Sequence, residues 1–195
     1  MAKKTSKKTK SKIVTAAWKL FYDQGYEDTT IEEIIAESGT SKGSFYHYFE
    51  GKDALLSSLS YMFDEKYEEI SEHLLEKGDS YEILLYLNHE LFQMIENTVD
   101  FELLCRLFST QLTTKGEKHL LDHNRVYYKL LRKIAVEGKQ KGELTEELSA
   151  NEIVKYYALC ERGIMYDWCL SNGEYSLSEY SKKYMPFFLS RIRKV

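Results

Sequence analysis

The segment KGSFYHYF at residues 42–49 concentrates side chains that can hydrogen bond to a polyanion. On a helix that turns by about 100° per residue, Phe45, Tyr48 and Phe49 fall on one face and form its core side. The opposite face and its flanks then hold Lys42, Gly43, Ser44, Tyr46 and His47. This outward face has no carboxylate, although the chain contains 31 Asp and Glu residues. Ammonium, hydroxyl and imidazole groups donate to phosphate oxygens and base edges, so the pattern indicates contact with nucleic acid.

Two further helices and a tight turn must position this segment. The first helix is predicted over about 11–24. Thr30 begins the second helix as its N-cap, and Glu33 three positions later completes a capping box. Gly39 ends that helix, and Ser41 can cap the next one. The spacing matches a helix-turn-helix, whose second helix enters the major groove of DNA. The alternative is a small three-helix bundle whose polar face is only solvated.

We predict nine DNA-binding residues in and beside this motif. Gly43 lets the backbone approach a ligand closely, and Lys42 can donate to guanine acceptors or to phosphate. Thr30 and Lys52 stand at helix starts, where free N–H groups and the positive end of the helix dipole favour an anion. The complete set is Thr30, Thr40, Ser41, Lys42, Gly43, Ser44, Tyr46, His47 and Lys52.

Charge is distributed unevenly along the chain. Residues 1–52 contain nine Lys/Arg and seven Asp/Glu, a net charge of +2, whereas the remaining residues carry −6. Six of the nine are lysines within residues 3–12, and we predict that residues 1–10 form a disordered basic arm. A basic arm ahead of an acidic body fits a polyanion partner at one end. Two alternatives remain, namely a solubilising tail and an electrostatic anchor at a membrane surface.

The composition is typical of an all-α protein. The 195 residues include one proline, and apolar residues recur with helical rather than strand periodicity. Because there is no run of 18 apolar residues, we expect no membrane-spanning segment and no membrane partner. Cys105, Cys160 and Cys169 form no C-x-x-C motif, so we interpret them as reduced thiols of a cytoplasmic protein.

An enzymatic function lacks a motif to support it. The sequence has no Gly-rich phosphate loop and no defensible Ser/His/Asp or Cys/His arrangement, so we predict that it is not an enzyme. His119 and His123 stand at i and i+4, a spacing that can hold a metal, and Asp122 is nearby. No further ligand is obvious, and we therefore predict no metal site and no cofactor.

The block GYEDTTIEEIIAESGTSKGSFYHYFEGKDALL at 25–56 resembles the DNA-binding domain of the TetR family of transcriptional regulators. With the first helix included, the resemblance covers about 11–56. Its fixed positions depart from the common family pattern at Tyr48, where histidine is frequent, and at His47, where an aromatic or variable residue is usual. The matching positions are Gly25, Thr29, Thr30, Ile35, Ala36, Gly39, Ser41, Lys42, Gly43, Phe45, Tyr46, Tyr48, Phe49, Lys52 and Leu55.

The resemblance implies an all-α chain with a three-helix helix-turn-helix DNA-binding domain at 11–56. Residues 57–195 would then form a helical effector-binding and dimerisation domain. A homodimer would place two recognition helices in successive major grooves of a pseudo-palindromic double-stranded DNA operator. A small-molecule effector would change the separation of the two DNA-binding domains, and most family members are repressors released in this way.

The second domain offers candidates for both of these implied functions. Helical patterns are predicted at about 52–76, 80–97, 101–114, 117–141, 149–171 and 176–193. Aromatic residues of the central helices are candidates for the effector pocket, and each one is also a candidate core residue. These are Tyr86, Phe92, Phe108, Tyr127, Tyr128 and Tyr166. The last two helices are the dimer candidates, with Tyr157, Cys160, Gly163, Ile164, Trp168, Tyr180, Tyr184 and Phe188, unless these residues only cover the intrachain core.

Overall fold

The structure is a computed structural model that describes residues 2–71, 74, 78–113, 115 and 118–194, with side chains from residue 8 onward. Helices dominate this described part, and its only strand-like pairing is an isolated bridge between Leu144 and Arg193. The predicted all-α class is confirmed. By backbone contacts the chain divides into two compact units. Unit 1 comprises Met1–Leu59 and Glu102–Thr113, and unit 2 comprises Ser60–Phe101 and Thr114–Val195.

Unit 1 is built on three helices that pack against one another, with a short fourth helix after them. These are α1 (Ala2–Gln24), α2 (Ile31–Ser38), α3 (Lys42–Tyr48) and α4 (Lys52–Leu56), and most of α7 (Phe101–Thr113) belongs to this unit as well. Ile13, Phe21, Ile34, Phe45 and Leu55 are among its buried core residues. The chain therefore has the compact three-helix arrangement that a helix-turn-helix requires.

Helix α1 is longer than predicted. Its backbone is helical from Ala2, across the segment that we predicted to be a disordered arm. The segment contains neither glycine nor proline, and lysine is a good helix former. The helix predicted from about residue 11 can therefore extend toward the N-terminus. The lysines therefore lie at fixed helical spacing instead of along a free arm.

The turns of unit 1 follow the predicted capping pattern. Thr30 and Glu33 form a reciprocal capping box, in which the Glu33 N–H donates to Thr30 Oγ1 at 3.2 Å. Gly39 ends α2 in the left-handed region with φ of 61°, a conformation that favours glycine. Ser41 caps α3, because its Oγ accepts a hydrogen bond from the Ser44 N–H at 3.1 Å. These caps fix where α3 starts relative to α2.

Unit 2 is a helical bundle. Its helices are α5 (Leu59–Ser71), α6 (Ser80–Thr98), α8 (Val126–Gln140), α9 (Ala150–Leu170) and α10 (Leu177–Leu189). Four of them close a ring in which α6 packs on α10, α10 on α9, α9 on α8 and α8 on α6. The predicted ends of two patterns, near residues 76 and 117, lie outside the described residues. No helix in the described ranges combines the length and hydropathy needed to cross a bilayer.

The predicted helix over 117–141 is wrong in its first part. A 3₁₀ turn covers His119–Leu121, the Asn124 N–H donates to Asp122 Oδ1 at 2.8 Å, and α8 begins only at Val126. His119 and His123 therefore do not share the face of one α-helix. The i, i+4 geometry that raised the question of a metal is absent, and the described residues contain no group of three or more potential ligands.

Carboxylates from distant parts of unit 2 cap three of its helix starts. Asp64 accepts the Tyr127 N–H at 3.3 Å and pairs with Arg125 at 2.9 Å, which explains why α8 begins where it does. Glu143 accepts the Ser80 N–H at 2.9 Å at the start of α6. At the start of α10, Glu96 accepts the Ser178 N–H at 3.2 Å. Negative charge stabilises a helix N-terminus, so these contacts stabilise the three helix starts and tie them to distant parts of unit 2.

Candidate nucleic-acid interface

Helix α3 has the two faces that its sequence predicts. Phe45 and Phe49 are buried at 0% and 5% exposure, and Tyr48 is half-buried. Tyr46 keeps 46% of its surface exposed. Lys42, Gly43 and His47 are exposed as well. The buried rings anchor the helix, and the opposite face is open to solvent.

The open face of α3 can approach another molecule closely. A Cβ added at Gly43 would meet no atom nearer than the Ser41 Oγ at 4.0 Å, so the backbone itself is accessible there. Lys42 Nζ lies 3.4 Å from Glu32 Oε1, and the two side chains are 68% and 71% exposed. Such an exposed pair contributes little free energy, so a phosphate or a base edge can displace Glu32 at low cost. Helix α3 itself carries no carboxylate.

Several predicted DNA-binding residues have structural partners. The Thr30 hydroxyl belongs to the capping box of α2, and the Ser41 hydroxyl caps α3. Thr40 Oγ1 lies 2.8 Å from Ser38 Oγ, and Ser44 Oγ lies 2.9 Å from Ser41 Oγ. These hydroxyls hold the turn between α2 and α3, whereas Lys42, Gly43, Tyr46 and His47 form the free face.

The ammonium group of Lys52 is used inside unit 1. Its Nζ donates to the backbone carbonyl oxygens of Tyr26 at 2.5 Å and Thr29 at 2.9 Å, and it lies 4.3 Å from the centre of the Tyr26 ring. The Tyr26 hydroxyl in turn donates to Asp53. Burial and the neighbouring Asp53 carboxylate raise the pKa of Tyr26 above its ordinary value. The side chain of Lys52 thus fastens α4 to the loop before α2, a function that the sequence pattern did not reveal.

The six predicted effector-pocket residues differ in burial and are divided between the two units. Phe92, Tyr127 and Tyr128 are buried in unit 2, and Tyr86 is half-buried on α6. Tyr166 is 47% exposed on the outer side of α9. Phe108 lies on the part of α7 that belongs to unit 1. Within unit 2, Tyr127 and Tyr128 remain as a pair of neighbouring buried candidates, since their ring centres are 4.7 Å apart.

A buried polar cluster surrounds Glu161 on α9. Glu161 is 2% exposed, and it accepts hydrogen bonds from Asn88 Nδ2 at 3.1 Å and from the Tyr67 hydroxyl at 3.3 Å. Ser181 donates to the other side of the Asn88 amide. Tyr127 also faces the carboxyl group. The cluster joins α5, α6, α8, α9 and α10 in the interior of unit 2. No sequence motif predicted it.

Burial raises the pKa of Glu161 above 4.5, even though Asn88 and the tyrosines donate to the carboxylate. A raised pKa in the folded state means that the contribution of Glu161 to stability is complete below pH 4.5. It is then lost as the pH rises through the folded-state pKa. The Glu161→Gln variant lacks this titration. Between pH 4.5 and 8 we expect the unfolding free energy of the parent to fall relative to that of the variant.

Urea unfolding followed by circular dichroism at several pH values measures this difference. Glu147→Gln, at an exposed position, serves as the matched control and should follow the parent. If Glu161→Gln and the parent have parallel stability profiles over this range, the carboxyl group does not titrate in the way its burial implies.

The predicted dimer residues fall into two groups. Tyr157, Ile164 and Trp168 are 0%, 3% and 6% exposed, so they pack inside unit 2 and cannot form a surface. Cys160 is half-buried, and Gly163 is exposed. On α10, Phe188 is 41% exposed, and the Tyr180 and Tyr184 rings contact each other at 4.4 Å. Helix α9 has two apolar stripes, one that faces the core of unit 2 and one that faces outward. Most of the α9 residues predicted for the dimer interface belong to the core-facing stripe.

The outer stripe of α9 is unpartnered within the described chain. Leu159, Tyr166 and Leu170 are 61%, 47% and 65% exposed, and they recur with Gly163 at helical spacing on one side. A Cβ added at Gly163 would meet no atom within 4 Å. On α10, Phe187 is 71% exposed. These side chains form an apolar surface on the last two helices.

Comparison with known proteins agrees with this architecture. Residues 13–59 match the family described as bacterial regulatory proteins, tetR family. The fatty acid metabolism regulator protein of Bacillus subtilis (strain 168) is 23% identical over 184 residues, which cover 92% of this chain and 93% of that protein. The uncharacterized HTH-type transcriptional regulator YuxN of the same organism is 45% identical over 69 residues, or 35% of this chain and 23% of that protein.

The crystal structure of Thermus thermophilus FadR, a TetR family transcriptional repressor in complex with lauroyl-CoA, has the same fold. It superposes with a TM-score of 0.76 at 22% identity, covering 95% of this chain and 96% of that one. These relatives are regulators and not enzymes, as the sequence predicted for this chain. The helix-turn-helix of unit 1 and the family match over its helices identify residues 13–59 as belonging to the tetR family of bacterial regulatory proteins, and the relatives that span the whole chain share its fold.

Proposed function

We propose that this regulator is a homodimeric repressor that binds a pseudo-palindromic operator through α3 and is released by a small-molecule effector. The observation that carries the proposal is the open face of α3, which bears Lys42, Gly43, Tyr46 and His47 and no carboxylate. A helix of this kind fits the major groove, where lysine donates to guanine and hydroxyl groups donate to phosphate. Thr30, Ser41 and Lys52 support the reading face by holding its helices in place.

The outer stripe of α9 and the exposed phenylalanines of α10 support the homodimer. Large exposed apolar patches on a regulator mark interaction surfaces, and two helices from each of two copies form a four-helix bundle. Gly163 in the middle of the stripe permits close approach of a second α9, since nothing in its own chain occupies that space. Such a dimer has the two-fold symmetry that a palindromic operator requires.

We assign effector binding to unit 2 and infer that the effector carries a long apolar chain. The interior around Phe92 is apolar and fully buried, and the Glu161 cluster supplies polar groups at one place within it. Ligand sites commonly combine an apolar lining with a few convergent polar groups. Two relatives point to the same class, one by its description as a fatty acid metabolism regulator and one by its bound lauroyl-CoA.

A titration of a fluorescent palindromic duplex, followed by anisotropy, tests this function. We expect specific binding whose association constant falls linearly with salt on logarithmic axes, because phosphate contacts release counterions. Lauroyl-CoA should weaken the complex by at least about tenfold, a typical coupling between two sites. Coenzyme A alone is the control, because it lacks the apolar chain.

Operator binding and the effector class can be contradicted independently of each other. A protein that prefers no duplex at low salt is not an operator-binding regulator. A protein that binds its operator equally well with and without saturating lauroyl-CoA retains the DNA-binding function and loses only the assigned effector class.

A further inference from the structure

The first helix of unit 1 forms one wall of a basic cleft beside the helix-turn-helix. The cleft has a volume of about 690 Å³ and is largely open to solvent. Lys8, Ser11, Lys12 and Thr15 line it from α1, and Glu37 and Ser38 line it from the last turn of α2. The four α1 residues recur every three or four positions, so they share one helical face. All four are exposed.

The charge in this cleft is positive. Lys19 also lines it, and its Nζ pairs with Glu37 Oε1 at 2.5 Å, which neutralises one end. Lys8 and Lys12 stand at the other end, so the lining keeps a net charge of +2. The hydroxyls of Ser11 and Thr15 add neutral hydrogen-bond donors. Ammonium and hydroxyl donors on one wall are the groups that bind phosphate oxygens in protein–DNA complexes.

The cleft adjoins the reading helix through the α2–α3 turn. Ser38 is the last residue of α2, and its hydroxyl lies 2.8 Å from Thr40 Oγ1 in the turn that leads to α3. On another side of α1, Lys10 Nζ lies 5.7 Å from the centre of the ring of Phe49, the C-cap residue of α3. A helix in the major groove has rows of phosphates about 12 Å apart on its two sides. Because α1 packs against α3, we expect basic groups on α1 to reach such a row when α3 enters the groove.

We propose that this cleft, through Lys8 and Lys12, is a second DNA-binding site that holds the phosphate backbone beside the groove read by α3. This inference rests on the proposed function and adds a sequence-independent contact to it. Lys8 and Lys12, which are four residues apart on α1, would then extend the DNA-contacting surface beyond α3.

An anionic membrane surface is a weaker fit to the same lysines. A helix that lies on a bilayer inserts an apolar face of large side chains beneath its basic face. In α1 the apolar residues Ile13, Ala17 and Phe21 are 0%, 0% and 3% exposed in the core of unit 1. They are therefore not available to lipid, and the cleft wall itself contains polar side chains.

The test compares the parent with Lys8→Ala/Lys12→Ala, using operator and unrelated duplexes between about 50 and 200 mM salt. Each phosphate contact contributes about 0.9 to the slope of log K against log salt, so the slope should fall by about 2 per protomer. The loss of affinity should be equal for the two duplexes, since phosphates carry no sequence information. Lys8→Arg/Lys12→Arg should keep the parental slope.

Lys129→Ala/Lys133→Ala on α8 removes the same charge from exposed positions of unit 2 and is the matched control. A Lys8→Ala/Lys12→Ala slope equal to that of this control overturns the proposal. If, in addition, that variant loses the parent's sedimentation with phosphatidylserine vesicles, the lysines serve a membrane surface instead. A parent protein without any preferred duplex contradicts the repressor function, whereas a preferred duplex with an unchanged slope contradicts only the cleft.

Discussion

The double variant Lys42→Ala/Tyr46→Ala is expected to lose at least about a hundredfold in operator affinity while keeping the parental fold. The contact of Lys42 to a base is worth about 1–3 kcal/mol, the Tyr46 contact to phosphate adds to it, and a symmetric dimer loses both contacts twice. Tyr46 is 46% exposed, so its removal leaves no cavity in the core. Lys42 pairs with the exposed Glu32, and such an exposed pair contributes little to stability.

Anisotropy with the operator duplex measures the affinity, and thermal unfolding by circular dichroism checks the fold. Tyr61→Ala/Lys129→Ala is the matched control, because it removes one exposed ring and one positive charge from unit 2. We expect this control to bind like the parent. Parental affinity in the Lys42→Ala/Tyr46→Ala variant would mean that the face of α3 does not contact DNA.

The second large effect concerns Leu159→Glu on the outer stripe of α9. Leu159 is 61% exposed in the single chain, so the substitution should change the stability of the monomer by no more than about 0.5 kcal/mol. In the proposed dimer it places two carboxylates in the apolar interface. Uncompensated buried charge is costly, and we expect the dimer to dissociate at micromolar concentration.

Operator affinity should fall by more than about a hundredfold in this variant, because a monomer has one α3 helix and contacts only one half-site. Sedimentation velocity gives the oligomeric state, and anisotropy gives the affinity. Leu121→Glu, which places the same charge at a leucine 46% exposed outside α9 and α10, is the control and should remain like the parent. A Leu159→Glu protein with the parental mass and affinity would exclude this face as the dimer surface.

Local sequence signals predicted unit 1 well because its determinants lie close together along the chain. Thr30 and Glu33 are three residues apart, and both hydrogen bonds of their capping box form as predicted. The division of α3 into a buried side at Phe45 and an open side at Tyr46 follows from helical periodicity alone. Such features require no knowledge of what packs against the helix.

The start of α8 was missed because its determinant is distant in sequence. Asp64 lies 61 residues before Arg125, and the pairing of the two fixes the first turn of the helix. A periodic pattern extended backward from 126 gives no sign of this contact. The same limit hid Glu96 and Glu143, whose carboxylates cap helices more than 60 residues away.

Lys52 and the outer stripe of α9 show a second reason why sequence patterns alone did not predict the site. A lysine at a helix start is equally suited to a phosphate and to backbone carbonyls, and only the position of Tyr26 and Thr29 decides between them. Helix α9 has apolar residues on two sides, and hydrophobicity alone does not say which side faces the core. The buried stripe includes Tyr157, whose hydroxyl donates to the Leu84 carbonyl oxygen at 3.1 Å.

Selection of bound duplexes from a random pool, carried out in parallel with the parent and with Lys42→Ala, tests the central claim most directly. If α3 reads base edges, the parent should enrich an inverted repeat whose half-site centres are about one helical turn, roughly 10 base pairs, or a multiple of it apart. The Lys42→Ala variant should relax the preference at one symmetric position of each half-site and keep the rest of the motif. An identical motif for both proteins, or no enriched motif for the parent, would contradict the account.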